Sequence, residues 1–493
     1  MKLSQSALLG LASLASIVTT SADPITIYFS ASNGDRNATQ VALSRLLTSW
    51  TYQGTNGRFP AANNPPANID GSFTATDNAF RGSNFGTWNG TWNGHNVIIK
   101  TNYAGALSGI AAVARPSLQV RFDTTTGQGT STVPANLLTS TDDAAWDPHE
   151  VDFGLSTNFQ STSPFNGEYN GFNYSPIKEV PVGVSQLGFY GSPGIPIDNI
   201  TTQQAKQLYD AGALPLSFFT GNWSNGDEHK WIFAIGRNTD AGQRFGAQLE
   251  IGRSGLGDQY VYKAATEPLT AGGTGNVPLI ESPAGSGNWV ANPSHNADNS
   301  YQIGSAVIGG KVYSHAQWPI ETWSDITATG GHTSGANVAS ALTRTLADTA
   351  YKAVDSNATA GWYVGYVTPG DADATILGNG QGSARPANSK GVALKFNGIE
   401  NTPANVQSGR YTLWVYNRVV VPQPTSSGGT FSGVKDLANS GEPAGFRAQF
   451  VEALANKIKT VVASQQGIAL DSNLKVHRLA DGGTVYAGPL PTD

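Results

Sequence analysis

The chain has 493 residues, with 29 Lys and Arg against 35 Asp and Glu, a formal net charge of −6 at pH 7. Because nucleic acid and anionic membranes bind to basic surfaces, this balance argues against both as partners. The length allows two or three domains. The absence of Cys excludes disulfides, thiolate metal ligands and lipid attachment through a cysteine.

The first 22 residues have the pattern of a secretory signal peptide. Lys2 precedes an apolar stretch over 7–18, and the chain then reads Thr20-Ser21-Ala22, an end of the kind that signal peptidase accepts. We predict that residues 1–22 are removed and that the mature protein is periplasmic or secreted. No later run approaches the roughly 20 apolar residues of a membrane span, so an embedded protein is not expected.

The mature sequence alternates between predicted strands and helices. A strand at 25–31 precedes a helix predicted over 38–50, a strand at 96–100 precedes a helix opening near 105, and a strand at 231–235 precedes a helix over 241–251. This alternation predicts mainly parallel sheets covered on both faces, with ligands beyond the carboxyl ends of the strands.

The loops between these elements suit a tetrahedral oxyanion. A helix N-terminus offers unpaired N–H groups and a partial positive charge, and Arg237 stands next to the loop that opens the third helix. A single loop of this kind more often only starts a helix, with the Arg in an ordinary salt bridge. Its recurrence after several strands favours a binding site.

In order and relative spacing, these segments and the strand at 151–157 resemble the phosphate-binding type II periplasmic substrate-binding proteins, the soluble receptors of phosphate ABC transporters. Segments at 180–184, 200–209, 361–367 and 409–416 extend the resemblance over most of the mature chain. The resemblance implies a two-lobed α/β fold with discontinuous lobes. Its limits are 23–180 and 390–493 for lobe 1 and 181–389 for lobe 2.

Two insertions interrupt the pattern, at 52–94 in lobe 1 and at 253–323 in lobe 2, and both are predicted to form β-hairpins. Asn89-Gly90 and Asn93-Gly94 favour type I′ turns, so the first insertion is interpreted as an excursion over the lobe surface. Its Trp88 and Trp92 either pack on their own hairpin or stack on a sugar or partner. Near the C-terminus, residues 445–463 predict an amphipathic helix whose core face carries Phe446, Phe450, Leu454, Ile458 and Val461.

The resemblance also implies a ligand-binding set and a mechanism in which the lobes close on a small oxyanion, phosphate in the family. Arg237 would be the main charged contact, and N–H groups at the start of the helix near residue 106 would hold the ligand whatever their side chains are. The implied set is Ser32, Asn33, Ala106, Leu107, Ser108, Gly109, Ser156 and Thr157 from lobe 1, and Arg237, Asp240, Gly242 and Gln243 from lobe 2.

The sequence departs from the family at positions that matter for selectivity. Thr157 stands where phosphate receptors usually have the Asp that accepts the proton of hydrogen phosphate. Ala241 and Gln243 replace two hydroxyl residues. A hydroxyl both donates and accepts, so Thr157 is expected to discriminate poorly between phosphate and sulfate unless Asp240 reaches the ligand.

Motifs for catalysis are absent from the sequence. There is no nucleophile elbow, no phosphate loop and no close His pair for a metal. The segment 146–152 gathers three carboxylates and an imidazole and is predicted to be a solvated turn. We therefore predict a solute-binding protein, not an enzyme, without cofactor or metal and with an ABC permease as candidate partner. The alternative is a secreted or surface-associated adhesion or assembly protein that uses the insertions as its working surface.

Overall fold

The computed structural model describes most of the chain. It describes residues 23–55, 57–59, 83–129, 131–133, 146–169, 171–238, 241–255, 261–262, 279–281, 289–291, 306–308, 311–313, 332, 334–344, 346, 351–352, 354–377, 390–425, 428–435 and 442–491. The predicted signal peptide, Asp240 and most of the insertion predicted at 253–323 lie outside these residues.

The helices and strands form three consecutive runs along the chain. The first run also contains a 3-10 turn at Gln160–Thr162. The first run contains β1 (Ile25–Ala31), α1 (Arg36–Leu46), β2 (Thr48–Gly54), β3 (Gly57–Phe59), β4 (Phe85–Trp92), β5 (His95–Asn102), α2 (Ala106–Ala114), β6 (Val120–Phe122), β7 (Asp147–His149), β8 (Phe153–Ser156), β9 (Gly167–Tyr169), β10 (Phe172–Tyr174) and β11 (Ile177–Gln186).

The second run contains β12 (Gly188–Gly191), β13 (Asn199–Ile200), α3 (Thr202–Ala211), β14 (Ala213–Pro215), α4 (Ser217–Thr220), β15 (Lys230–Ile235), α5 (Gly242–Glu250), β16 (Leu279–Glu281), β17 (Trp289–Ala291), β18 (Ala306–Ile308), β19 (Lys311–Tyr313), α6 (Gly335–Ala341), β20 (Ala360–Val367), α7 (Pro369–Asp371), β21 (Val392–Ala393), β22 (Lys395–Phe396) and α8 (Pro403–Gln407). The third run contains β23 (Trp414–Pro422), α9 (Phe446–Val461), β24 (Val476–His477) and β25 (Tyr486–Ala487).

The first lobe is built on an eight-stranded sheet with the order β11-β23-β8-β1-β5-β4-β2-β3. Strand β1 runs parallel to both β5 and β8, so the carboxyl ends of these three strands meet at one edge. Helices α1 and α9 pack together over one face. The predicted core face of α9 is confirmed, since Phe446, Phe450, Leu454, Ile458 and Val461 are all buried.

The described residues of the insertion predicted as a surface excursion, 52–55, 57–59 and 83–94, are instead part of this sheet, so the prediction is wrong for them, and residues 60–82 lie outside the described residues. Strand β4 pairs with β2 on one side and β5 on the other. Its Asn89-Gly90 step therefore lies inside a ladder, whereas Asn93-Gly94 forms the turn to β5 with φ of 47° and 81°, as a type I′ turn requires. The predicted helix at 38–50 ends at Leu46 because the chain must enter β2 at Thr48.

Both tryptophans of this insertion are packed. Trp88 is fully buried, and its ring centroid lies 4.8 Å from that of Trp50. Trp92 is half-buried, with its centroid 4.8 Å from Phe446 and 5.3 Å from Phe450 on α9. The two side chains are therefore packed inside the first lobe, but against β2 and α9 and not on their own hairpin as predicted, and the aromatic area stabilises this lobe.

The second lobe is built on a five-stranded sheet with the order β14-β15-β20-β12-β21. Strand β15 runs parallel to β20, and α5 follows β15 as predicted. Helix α3 begins with a capping box between Thr201 and Gln204, which satisfies backbone donors at its start. In the second insertion, the described residues form two antiparallel pairs, β16 with β17 and β18 with β19.

The chain passes between the two sheets twice. It leaves the first sheet after β11 at Gln186 and enters the second at Gly188. It returns between β22 and β23, where Leu187 N–H donates to Leu413 O at 3.1 Å. The predicted lobe limits at 180/181 and 389/390 each fall a few residues before the chain changes sheet. After the first limit, β11 still pairs with β23 of the first sheet as far as Gln186. After the second limit, β21 still pairs with β12 of the second sheet. Those limits stay predictions.

Candidate functional site

A small cleft opens between the two lobes at the carboxyl ends of β1, β5 and β15. This is where parallel α/β sheets place their ligands, because the loops after the strands converge there. The lining residues come from both lobes: Ser32, Asn33, Gly34, Ala104, Gly105 and Ala106 from the first, and Arg237, Asn238, Ala241, Gly242 and Gln243 from the second.

Two helices begin at this cleft, one from each lobe. Helix α2 begins at Ala106, as predicted, and α5 begins at Gly242. At neither N-cap residue, Gly105 or Ala241, does a side chain accept a hydrogen bond from the N–H groups of the first turn. The N-terminal N–H groups of a helix need acceptors and carry a partial positive charge, so both ends favour an anion in the cleft.

Arg237 follows β15 directly and lines the cleft with only 4% of its surface exposed. Its Nη1 donates to Gln243 Oε1 at 2.8 Å, its Nε to His332 O at 3.1 Å and its Nη2 to Asn238 Oδ1 at 3.4 Å. These acceptors are neutral oxygens that orient the guanidinium. The Arg237 side chain therefore lies in the cleft lining and does not turn away to the protein surface.

The two lobes touch at Gly242, at the edge of the cleft. A Cβ at this position would lie 2.1 Å from Thr157 Oγ1 and 2.7 Å from Ala106 Cβ, both in the first lobe. Such distances are far inside van der Waals contact. Only glycine lets the start of α5 approach the first lobe this closely.

Six of the twelve predicted site residues line the cleft, and five of the rest are described but are not part of its lining. Ser108 Oγ is buried in a 2.9 Å hydrogen bond with Ser30 Oγ, and Ser156 Oγ donates to Asn158 O at 3.2 Å, so these hydroxyls are engaged inside the first lobe. Leu107 and Gly109 are buried in α2 against β8 and the core. The Thr157 hydroxyl is buried against Gly242. The twelfth residue, Asp240, lies outside the described residues.

The lining contains residues that sequence reasoning missed: Gly34, Ala104, Gly105, Asn238 and Ala241. Four of them have small or absent side chains, and what they present to the cleft is mostly backbone. Such residues leave no side-chain signal in a sequence. Asn238 had a signal, because it directly follows Arg237.

A buried pair of charged residues lies directly behind the first-lobe side of the cleft. Asp35, next to the lining residue Gly34, accepts a hydrogen bond from Asn417 Nδ2 at 2.5 Å. Burial raises the pKa of Asp35 to about 7, and the nearby Arg418 cation opposes that shift. Arg418 is fully buried, with its guanidinium carbon 3.3 Å from the ring centroid of Phe159.

The acidic segment predicted as a solvated turn at 146–152 is structured instead. Residues Asp147–His149 form β7, which pairs with β6. Asp152 is largely buried and accepts hydrogen bonds from Arg447 Nη1 and Tyr28 N–H, each at 2.8 Å. The carboxylate is thus part of a structural ion pair. Among the described residues, no group of three or more His, Asp and Glu could hold a metal.

No family model matches the sequence, and no curated protein does. Similar solved structures include a putative phosphate ABC transporter substrate-binding protein with bound phosphate from Clostridium perfringens, at 11% identity over 90% of this chain and 100% of that chain, TM-score 0.39. Others are a possible phosphate binding protein from Planctomyces limnophilus DSM 3776, at 11% identity, 92% and 95% coverage and TM-score 0.35, and an ABC-type phosphate transport receptor from Vibrio cholerae, at 10% identity, 65% and 80% coverage and TM-score 0.31.

The described residues show two α/β lobes, two chain crossings between the sheets, and a cleft at the carboxyl ends of the strands, in agreement with the two-lobed α/β fold that the sequence predicts. The solved structures are described as members of the phosphate receptor family that the sequence resembles. In the described part of the chain, every helix is too short or too polar to span a membrane.

Proposed function

We propose that the protein binds a small oxyanion between its two lobes and closes on it. The observation that carries this proposal is the meeting of the buried Arg237 with two helix N-termini, those of α2 and α5, at one small cleft. One lobe alone supplies only part of this set. A ligand that touches both lobes therefore stabilises the closed arrangement.

Closure buries the anion, so most of its oxygens must be hydrogen-bonded in the dry cleft. The cleft supplies the Arg237 guanidinium, the first-turn N–H groups of the two helices, and the polar side chains of Ser32 and Asn33. A guanidinium and main-chain donors suit the geometry of a tetrahedral oxyanion. Phosphate is the first candidate because of the sequence resemblance, and the solved structures named above include one with bound phosphate.

A role in uptake follows from the sequence resemblance to the soluble receptors of phosphate ABC transporters. We infer that the protein works outside the cytoplasm, where the N-terminal signal would send it, and that it delivers its ligand to an ABC permease. The cleft lining offers hydrogen-bond donors and a cation, which suits reversible binding of an anion. One argument for the adhesion alternative, tryptophans available to a partner, no longer holds, because Trp88 and Trp92 are packed in the first lobe.

Isothermal titration of the mature protein with phosphate, sulfate and arsenate tests the proposal. At least one of these anions should bind with 1:1 stoichiometry. The Arg237→Met variant should lose binding, because it removes the cleft cation but keeps most of the side-chain volume. The matched control is Arg447→Met, which removes a buried Arg of the first lobe remote from the cleft lining. Absence of binding by the folded parent protein would contradict the proposal.

A further inference from the structure

The C-terminal segment after α9 packs against the second lobe, although the sequence assigned it to the first. Ile468 forms two backbone hydrogen bonds with Val184 of β11, at 2.8 and 3.0 Å. Further on, Leu474 and Val476 join the apolar cluster that holds the core of the five-stranded sheet. The segment therefore continues past the crossing strands onto the second lobe.

A buried arginine fixes this segment to α5. Arg478 is 2% exposed, and its Nη1 donates to Glu250 Oε2 at 3.0 Å, at the last residue of α5. Its Nη2 donates to Thr412 O at 2.7 Å, and the guanidinium lies 4.2 Å from the ring centroid of Trp414. A buried ion pair with this many hydrogen bonds gives the segment one position on the second lobe.

The next residues form a tight turn that reaches the first lobe. Gly483 N–H donates to Ala480 O at 3.1 Å, which closes the turn 480–483. Asp481, only 5% exposed, accepts hydrogen bonds through Oδ2 from Phe159 N–H at 2.8 Å and from Thr162 Oγ1 at 2.7 Å. Both donors belong to the first-lobe segment that follows β8.

The turn also makes a close contact with the backbone of α5. Gly482 has a φ of +62°, and a Cβ there would lie 2.4 Å from the carbonyl of Leu249. The turn 480–483 thus fills the space between the C-terminal end of α5 and the Phe159–Thr162 segment. The N-terminal end of α5 meets the same first-lobe segment at the cleft, where Gly242 contacts Thr157. By helix geometry the two contacts are about 10 Å apart along α5.

We propose that the turn 480–483 is a latch that holds the two lobes in their closed arrangement, with Asp481 as the positioning residue that joins them. Behind the cleft, the turn contacts α5 and the first-lobe segment that follows β8. This helix and this segment also approach each other at the cleft, through Gly242 and Thr157. Loss of its contacts shifts the ligand-free protein toward an open arrangement. Because only the closed form completes the anion site, affinity falls in proportion to its population.

The ligand-free protein provides the first test. The chain has no Cys, so spin labels on Gln203→Cys in α3 and Asn456→Cys in α9, both exposed positions on opposite lobes, report the distance between lobes. Pulsed electron paramagnetic resonance should give mainly the short distance of the closed form in the parent. Asp481→Ala should add a longer distance, and Thr162→Val, which removes one of the two donors, should add less of it.

The matched control is Arg447→Met, which breaks buried ion pairs inside the first lobe. It should lower the melting temperature without changing the distance. If Asp481→Ala and Thr162→Val keep the parent distance distribution, or if Arg447→Met changes it equally, the latch is overturned. Thr162→Val decides alone if Asp481→Ala does not fold.

The effect on binding depends on the proposed function, and the distance measurement does not. For the oxyanion that binds the parent, phosphate or sulfate, Asp481→Ala should raise Kd roughly tenfold, mainly through faster dissociation. An unchanged Kd together with a changed distance would refute the link to affinity. If no oxyanion binds the parent, the proposed function fails while the distance still tests the latch.

Discussion

Gln243 and Arg237 are joined by a 2.8 Å hydrogen bond that connects the first turn of α5 to the end of β15. The amide oxygen accepts from Nη1 without neutralising the guanidinium. Gln243 stands where the phosphate receptors have a hydroxyl, so this chain uses the position to orient its cation. A negative charge at this position would oppose the guanidinium of Arg237.

Gln243→Glu should therefore abolish most anion binding. The carboxylate would pair with Arg237 and repel the ligand in a cleft with little water, so we expect affinity to fall at least tenfold, about 1.4 kcal/mol. Titration calorimetry measures this. Gln243→Met, which removes the hydrogen bond without adding charge, should lose less. Equal losses in the two variants would show that orientation, and not charge, is the role of this residue.

Gly242→Ala should prevent full closure of the lobes. The added methyl group would overlap Thr157 Oγ1 and Ala106 Cβ, although alanine is a better helix former than glycine. We expect a larger radius of gyration by small-angle X-ray scattering, little change in melting temperature and anion affinity reduced more than tenfold. Gln203→Ala, at an exposed position in the first turn of α3, is the control. Parent-like scattering and affinity would contradict the close contact.

Asp35 should make the protein less stable as the pH rises. Its pKa is raised from 3.8 to about 7 by burial. The folded state therefore holds this proton more tightly than the unfolded state, and the resulting stability is present below about pH 4 and lost as the pH rises to about 7. Asp35→Asn should then gain stability over the parent at pH 8, on the order of 4 kcal/mol. Below pH 4 it should differ little.

Urea unfolding of both proteins across this pH range measures the difference. Other buried carboxyls, such as Glu179 and Glu250, also have raised pKa values through burial, but they are common to both proteins. A stability difference that does not change with pH would show that Asp35 is not the titrating group.

Thr157 should leave the protein with weak discrimination between phosphate and sulfate. Its hydroxyl lies at the contact between the lobes and provides no carboxylate to accept a proton or repel a dianion without one. Competition titrations should give affinities for the two anions within about tenfold of each other, and Thr157→Asp should shift the preference toward phosphate. Asp240→Asn is the companion variant. A strong phosphate preference that survives it would refute this explanation of selectivity.

Local sequence patterns determined the individual elements and their order. The apolar stripe of α9 and the strand–loop–helix unit around Arg237 could be predicted because they depend on residues a few positions apart. The start of α2 at Ala106 followed in the same way. Through their resemblance to the phosphate receptors, these segments implied a two-lobed fold and a cleft that contains Arg237.

The tertiary structure alone decided which groups face the cleft and what holds it shut. Ser108 turns to Ser30 because the parallel strands bring α2 over β1, and Trp88 enters the core because β4 is paired on both sides. The contact of Asp481 with Phe159 joins residues 322 positions apart. Periodicity and turn chemistry act over a few residues, so contacts of this kind follow only from how the two lobes pack.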